Sequence, residues 1–195
     1  MKLIEKLELM EGMALRCIYY VHYFHLVSGP SGNFWPIVQN SIGESACLFW
    51  SHLFGNRKDN FHYSSFFSLK EFEQTHLEFS FEKVKSRLYN HINMDEAEYK
   101  IFWNEVKSCR DQFIAHRDSN AERLKFPRID LCRQMAEELR DIFHEIVRLL
   151  LETAGADEKL DNLKIYYEWH TNRSLEAKCK QEFKLEITNL SKSFD

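Results

Sequence analysis

A basic segment with one histidine is the part of this sequence best suited to chemistry. Between Lys107 and Arg128 the chain has six basic and three acidic residues, a net charge of +3, whereas the whole chain carries −4 with histidine neutral. All other residues together therefore carry −7, and positive charge is concentrated around His116. Because Lys and Arg neutralise phosphate groups, we expect a phosphate-bearing ligand to bind here. The expected contacts come from Lys107, Arg117, Arg123 and Lys125.

Arg110 and His116 have the side chains that RNA cleavage without a metal ion requires. An Arg guanidinium presents a fixed fork of donors to phosphate oxygens, and a His exchanges protons near neutral pH. A base would take the proton of the ribose 2′-hydroxyl, while the guanidinium stabilises the charge that develops on the phosphate. Asp111 is placed to orient either group. The residues alone leave a second interpretation open, a charged helix end exposed to solvent.

The spacing of Arg110 and His116 limits how they could act together. Six residues along a straight helix rotate the side chain by about 600°, which leaves the two residues about 120° apart and displaced by ~9 Å along the axis. We therefore expect one of two arrangements. Either the helix breaks just before His116, or the two copies of a symmetric dimer bring motif against motif across their interface.

The segment Arg110-Asp111-x-x-x-x-His116 resembles the signature of the HEPN superfamily (higher eukaryotes and prokaryotes nucleotide-binding), an Arg, a polar residue and a His after a short spacer. The longer stretch RDQFIAHRD is similar to the abortive-infection U-type branch and its bacterial relatives. Further features that resemble such relatives are the stretch FWSHLFG at 49–55, Asn60 and His62. The resemblance implies a helical bundle of four or more helices, a homodimer and a metal-independent endoribonuclease with one composite cleft. It implies that Arg110 and His116 are the catalytic pair and that Asp111 is the intervening polar residue.

We therefore expect a HEPN-type endoribonuclease that needs no cofactor and acts on RNA as a toxin-like or phage-defence effector. An antitoxin protein would then be a further partner. The alternative is a non-catalytic HEPN-like module, in which the same basic cleft binds nucleotide, RNA or a partner protein. A metal-dependent helical-bundle enzyme is the third class to test.

The first helix contains a set of residues with the spacing of metal ligands. His22 and His25 are three residues apart, so they share a helix face, and Cys17 lies one or two turns earlier. Four aromatic residues between positions 19 and 24 surround them. This setting favours packing or a structural hydrogen bond over a metal site.

Glu73-x-x-His76 and Asp141-x-x-His144 together are similar to half of a di-iron site in a helical bundle. Such a site needs Glu-x-x-His from two helices and a Glu from each of two more. One of the two motifs has Asp in place of Glu, and no further inward pair of Glu residues is evident. We therefore expect no bound metal.

Apolar residues at helical spacing predict five helices, at about 2–28, 35–54, 68–89, 95–116 and 130–154. Capping-box patterns, Ser68 with Glu71 and Asp95 with Glu98, mark the starts of the third and fourth. Residues 56–67 show no period and are predicted to form an ordered surface loop. Because the chain has 16 Phe, packing is the favoured role of the aromatic residues of this loop, and stacking of bases as a lid over the cleft is the alternative. Residues 156–195 are predicted to be a C-terminal extension packed on the bundle, with a weak preference for helix.

Length and composition fit one all-α domain over residues 1–195, an antiparallel bundle of about five to six helices. The chain has 195 residues, 44% hydrophobic and 29% charged, and only 6 Gly and 3 Pro, too few turn residues for a fold of many short strands. Its five cysteines are scattered without a CxxC pair, which indicates neither a disulfide framework nor a structural zinc site. No signal peptide or membrane span is evident, so a cytoplasmic location is expected.

Overall fold

The long helices form where apolar side chains recur every three or four residues. A computed structural model describes residues 3–28, 34–73, 75, 77–115 and 126–154, and within these ranges the chain is all-α without any strand, as predicted. The helices, in chain order, are α1 Leu3–Leu26, α2 Phe34–Phe54, α3 Ser64–Phe67, α4 Lys70–Glu73, α5 Phe81–His91, α6 Glu96–Ala115 and α7 Ile129–Ala154. Five of these are long and two are single turns. The predicted extension at 156–195 lies outside the described residues.

Helix α1 lies at the centre and packs mainly against α2 and α7. Its buried stripe includes Leu7, Met10, Ala14, Cys17 and Val21, each fully removed from solvent. The Gln39 amide donates to the carbonyl of Phe24, and Cys17 Sγ donates to the carbonyl of Ala46, so the end of α1 faces the start of α2. The two helices are therefore antiparallel.

Buried charged groups connect α7 to α1. Glu11 of α1 is 0% exposed, and its Oε1 accepts hydrogen bonds from Arg140 Nε at 3.1 Å and from His144 Nε2 at 2.8 Å. A carboxylate can be removed from water only if charged or polar partners replace the lost hydration. These contacts fix the position of α7 along α1.

The predicted helix at 68–89 is wrong in its middle, because the chain forms α4 and α5 with a break between them. Ser68 is the last, C-capping residue of α3 rather than the start of a helix, and its hydroxyl donates to the Ser64 carbonyl at 3.3 Å. Leu77, Phe79 and Phe81 all pack against the core. This spacing of two belongs to extended chain rather than to a helix. Ser80 is extended and caps α5, its side chain accepting from the Lys83 amide at 3.3 Å.

The second predicted capping box is confirmed at the start of α6. The Asp95 carboxylate accepts from the Glu98 amide at 2.8 Å, and the Glu98 carboxylate accepts from the Asp95 amide at 3.0 Å. Two amide donors that a helix start leaves without intrahelical partners are thereby satisfied. This fixes the first turn of the helix that carries Arg110.

Residues 56–67 are ordered, as predicted, but part of this segment lies in the core rather than on the surface. His62, Tyr63 and Phe66 are buried, and α3 forms at the end of the segment. The Lys6 ammonium of α1 donates to the carbonyl of Asn60. The aromatic side chains of this segment therefore serve largely as packing groups.

Candidate functional site around Arg110

Arg110 projects from a helix that the core holds firmly. Phe102, Val106 and Cys109 form the inward stripe of α6 and are at most 4% exposed. Arg110 follows this stripe directly, so it lies at the boundary between core and solvent, with 31% of its side chain exposed. The fold therefore fixes the guanidinium near the surface without covering it.

Asp111 holds one edge of the Arg110 guanidinium. Arg110 Nε and Nη2 both donate to Asp111 Oδ1, at 2.9 and 2.6 Å. A guanidinium has five N–H donors in a fixed plane, so the Nη1 group and one Nη2 hydrogen are left for another acceptor. A phosphate oxygen is the acceptor that this fork binds best. The predicted orienting role of Asp111 thus has a geometric basis for Arg110.

Lys107 lies three residues before Arg110, on a neighbouring position of the helix surface. Its ammonium lies 5.3 Å from the centre of the Trp103 ring, and the side chain is exposed. Arg128 forms an ion pair with Glu105, with 3.6 Å between its Nε and a carboxylate oxygen. Of the predicted phosphate-binding residues, Lys107 is the one that lies within the described residues, and its ammonium lies beside Trp103, one turn towards the start of α6.

The remaining predicted site residues follow α6 and lie outside the described residues, namely His116, Arg117, Arg123 and Lys125. The described part of α6 ends at Ala115, and the chain is described again from Phe126. The Phe126 ring packs against Phe24, with 5.0 Å between ring centres. A Cβ on Gly43 would collide with this ring, so a larger residue at position 43 would require the ring to move. Phe126, where the described chain resumes, therefore packs against α1 and α2.

No family model, curated protein or solved structure matches this chain.

The upstream stretch at 49–55 lies towards the opposite end of α6. Trp103 Nε1 donates to the Gly55 carbonyl at 3.2 Å, and Arg110 is seven residues further along the helix, about 10 Å at 1.5 Å per residue. Trp50 and Phe54 are core residues. His52 Nδ1 lies 3.3 Å from Asp59 Oδ2. The structure does not bring this stretch, or the loop that follows it, over Arg110, so it supports packing rather than the alternative of a lid.

His62 is a buried neutral imidazole. Its Nδ1 accepts from the Ser64 amide at 3.1 Å and lies 2.7 Å from the Ser64 hydroxyl, so this nitrogen must be unprotonated. Burial lowers the pKa of His62 to about 4, with a smaller contribution from the positive charge of Arg57. The residue therefore organises its own loop, and the structure gives it no place near Arg110.

The predicted packing role of the first-helix residues fits their contacts. Cys17 is buried and donates to backbone carbonyls of Ala46 and Cys132, and His25 Nε2 lies 3.0 Å from Asp130 Oδ1. His144 contacts Glu11, whereas His76 lies outside the described residues. Across the part of the chain that the structure describes, no group of three metal-ligating side chains is suitably arranged.

The sequence did not indicate that four cysteines from four helices would meet in the core. Cys17, Cys47, Cys109 and Cys132 are buried free thiols, and Cys47 Sγ lies 3.7 Å from Cys109 Sγ. The hydrogen bond to Cys109 and burial raise the pKa of Cys47, and burial raises the pKa of Cys17 and Cys132, so these groups stay protonated. Each of the four cysteines occupies an inward position in the apolar stripe of its helix. This position was the signal in the sequence that the cysteines would be buried.

The described helices also bear on membrane insertion. None of them combines the length and the apolar character that crossing a bilayer demands.

Proposed function

We propose that this chain is a HEPN-type endoribonuclease that cleaves RNA without a metal ion. The observation that carries the proposal is the Arg110 guanidinium, held on one edge by Asp111 and exposed on the other, at the start of a basic segment. Such a group binds a phosphate and stabilises the negative charge of a phosphorane-like transition state. RNA is therefore the substrate class, and a toxin-like or phage-defence effector is the proposed biological role.

In the proposed reaction, His116 accepts the proton of the ribose 2′-hydroxyl, which then attacks the adjacent phosphorus. The bond from phosphorus to the 5′-oxygen breaks, and a proton donor protonates the leaving oxygen. This gives a cyclic phosphate end and a 5′-hydroxyl end without any cofactor. Arg110 stabilises the charge on the phosphate oxygens, and Lys107, Arg117, Arg123 and Lys125 bind neighbouring phosphates.

We propose that the active form is a homodimer. Along a straight helix Arg110 and His116 would point about 120° apart, so one copy does not easily aim both at one phosphate. A two-fold axis through the motif would place Arg110 of one copy opposite His116 of the other. An antitoxin protein that covers this composite cleft would be the corresponding inhibitor.

The test is cleavage of a fluorescent single-stranded RNA by the purified full chain with EDTA present. We expect His116→Ala and Arg110→Ala each to lower the rate by about 100-fold or more, the usual range for loss of a general base or an electrostatic stabiliser. Lys100→Ala removes a positive charge from the exposed surface of α6 outside the motif and should change the rate less than about twofold. Circular dichroism and light scattering must show all variants folded and equal in oligomeric state. Equal cleavage by the wild type and His116→Ala would overturn the site assignment.

The role of Asp111 is separable from that of Arg110. Asp111→Asn keeps an oxygen acceptor for the guanidinium but removes the charge, so we expect a smaller loss of cleavage rate than with Arg110→Ala. A loss as large as that of Arg110→Ala would show that Asp111 takes part in the reaction directly.

The second candidate is a binding module that does not cleave, and one contact favours it. The Asp111 carboxylate already balances the charge of Arg110, as in many structural ion pairs. Saturable RNA binding without turnover would support this alternative. The metal-dependent class predicts stoichiometric iron, manganese or zinc in the purified protein, which elemental analysis measures directly.

A further inference from the structure

A cavity of about 380 Å³ opens where α3, α4 and the start of α5 meet. This volume lies within the range of roughly 300–1,000 Å³ that small-molecule sites occupy. Four phenylalanines, Leu77, Arg57, Glu73 and three serines line it. The cavity belongs to the loop region at the far end of α6 from Arg110, so it is a second location, separate from the proposed cleavage site.

The apolar wall of the cavity is built from packed aromatic rings. Phe67 and Phe72 meet edge to face, with 5.3 Å between ring centres and 85° between planes. Phe72 is itself buried and contacts the fully buried Phe66 at 5.0 Å. Phe79 and Phe81 complete the aromatic lining and are anchored on the core. Phe72 is buried and Arg57 lies over Phe81, whereas Phe67 and Phe79 are partly exposed, so these two rings are the ones on which a planar base can stack.

Arg57 supplies a positive charge at this aromatic wall. Its guanidinium carbon lies 4.2 Å from the centre of the Phe81 ring, so the planar group lies over the ring. Arg57 is exposed, and no carboxylate of the described residues lies within 4.0 Å of its nitrogens, although its charge contributes to lowering the pKa of Glu96. Stacking on Phe81 leaves the N–H groups at the guanidinium edge able to bind an anion.

We propose that this cavity binds a nucleoside monophosphate unit. The base lies against the phenylalanine wall, and Arg57 binds the phosphate through charge-assisted hydrogen bonds. Glu73 accepts a hydrogen bond from an amino group of the base, which favours adenine over uracil. The unit comes either from a free nucleotide or from the phosphorylated end of an RNA strand. The proposal does not depend on cleavage at Arg110.

Calorimetric titration of the full chain with AMP, UMP, adenosine and inorganic phosphate tests this site. We expect saturable AMP binding, weaker binding of UMP, and still weaker binding of adenosine or phosphate alone. Arg57→Ala should weaken AMP binding by about tenfold or more, because it removes the charge-assisted hydrogen bonds to the phosphate. Its effect on adenosine should be less than about twofold.

Lys58→Ala is the matched control, since it removes the same charge from the next residue, which is exposed and does not line the cavity. It should leave AMP binding unchanged within about twofold. Absence of saturable AMP binding, or equal weakening by Arg57→Ala and Lys58→Ala, would overturn the proposal. Equal weakening by the two variants would mean that Arg57 acts only through general charge attraction.

The two sources of the nucleotide are separated with a 2′-O-methyl oligonucleotide, which lacks the hydroxyl needed for cleavage. If an RNA end is the ligand, the 5′-phosphorylated oligonucleotide competes with AMP and its unphosphorylated form does not. If a free nucleotide is the ligand, neither form displaces AMP. His116→Ala should bind AMP like the wild type, so failure of the cleavage proposal would leave this result intact.

Discussion

Glu11 shows how strongly a single buried charge can hold two helices together. It is completely buried in α1 and accepts hydrogen bonds from Arg140 and His144 of α7. Glu11→Gln keeps the shape but removes the buried negative charge that Arg140 and His144 contact. Removing one partner of a buried ion pair costs several kcal/mol, so we expect a loss of about 3 kcal/mol in the free energy of unfolding.

Urea unfolding measures this loss, and Glu152→Gln is the matched control. Glu152 pairs with Arg148 on the same helix at 2.7 Å, but both side chains are at least half exposed. Exposed pairs contribute little, so the control should lose less than about 0.5 kcal/mol. Equal losses in the two variants would mean that Glu11 does not stabilise the contact between α1 and α7.

His62 should make the protein less stable in acid. Burial lowers its pKa to about 4, compared with about 6.5 in an unfolded chain, so the unfolded state binds the proton first as the pH falls. The stabilisation is complete above about pH 6.5 and is lost as the pH falls towards 4, by about 3 kcal/mol in total. His62→Asn replaces Nδ1 by an oxygen that still accepts from the Ser64 amide and removes this loss. Urea unfolding at pH 7 and pH 4 measures this loss of stability. A loss in His62→Asn as large as that in the wild type would contradict the prediction.

Ser68 and Ser80 each precede a helix, but their side chains have different roles. Ser80 caps α5 by accepting from the Lys83 amide, whereas the Ser68 hydroxyl donates backwards to the Ser64 carbonyl. Loss of a helix cap costs about 1 kcal/mol, so Ser80→Ala should lower the free energy of unfolding by that amount. Ser68→Ala should cost less than about 0.5 kcal/mol in the same denaturation series. A larger loss of free energy of unfolding in Ser68→Ala than in Ser80→Ala would instead support the helix start that the sequence predicts at residue 68.

The long helices and the second capping box were predictable because their signals are local. Apolar spacing fixed α1, α2, α6 and α7 to within a few residues, and Asp95 with Glu98 marked the start of α6. The break between α4 and α5 was missed because Ser68 has the residue pattern of a cap, and only tertiary packing of Leu77 and Phe79 selects extended chain.

The contacts at the candidate sites likewise differ in whether the local sequence is enough to predict them. The contact between Arg110 and Asp111 is local and was anticipated. The cavity at Arg57 joins side chains separated by 24 positions, from residue 57 to residue 81, and no periodicity indicates such a meeting.

For the whole molecule, the distribution of charge matters more than its sum. The net charge of −4 disfavours polyanions, yet the residues from 107 to 128 carry +3 against −7 elsewhere. RNA should therefore be attracted to one region and repelled from most of the remaining surface. Binding confined in this way is sensitive to salt, because each phosphate contact releases a counterion.

The salt dependence of RNA binding can tell one basic segment from two. For single strands, the logarithm of the affinity falls with the logarithm of the salt concentration at about 0.7 per phosphate contact. Contacts from Lys107, Arg110, Arg117, Arg123 and Lys125 of one copy give a slope of about −3.5. A composite cleft shared by two copies gives about −7 by the same relation. Titration of a 2′-O-methyl oligonucleotide between 50 and 200 mM salt, roughly the range over which such slopes are measured, distinguishes these cases. Sedimentation under the same conditions must show a dimer for the steeper slope, and a slope shallower than about −1 would exclude the basic segment as the RNA-binding surface.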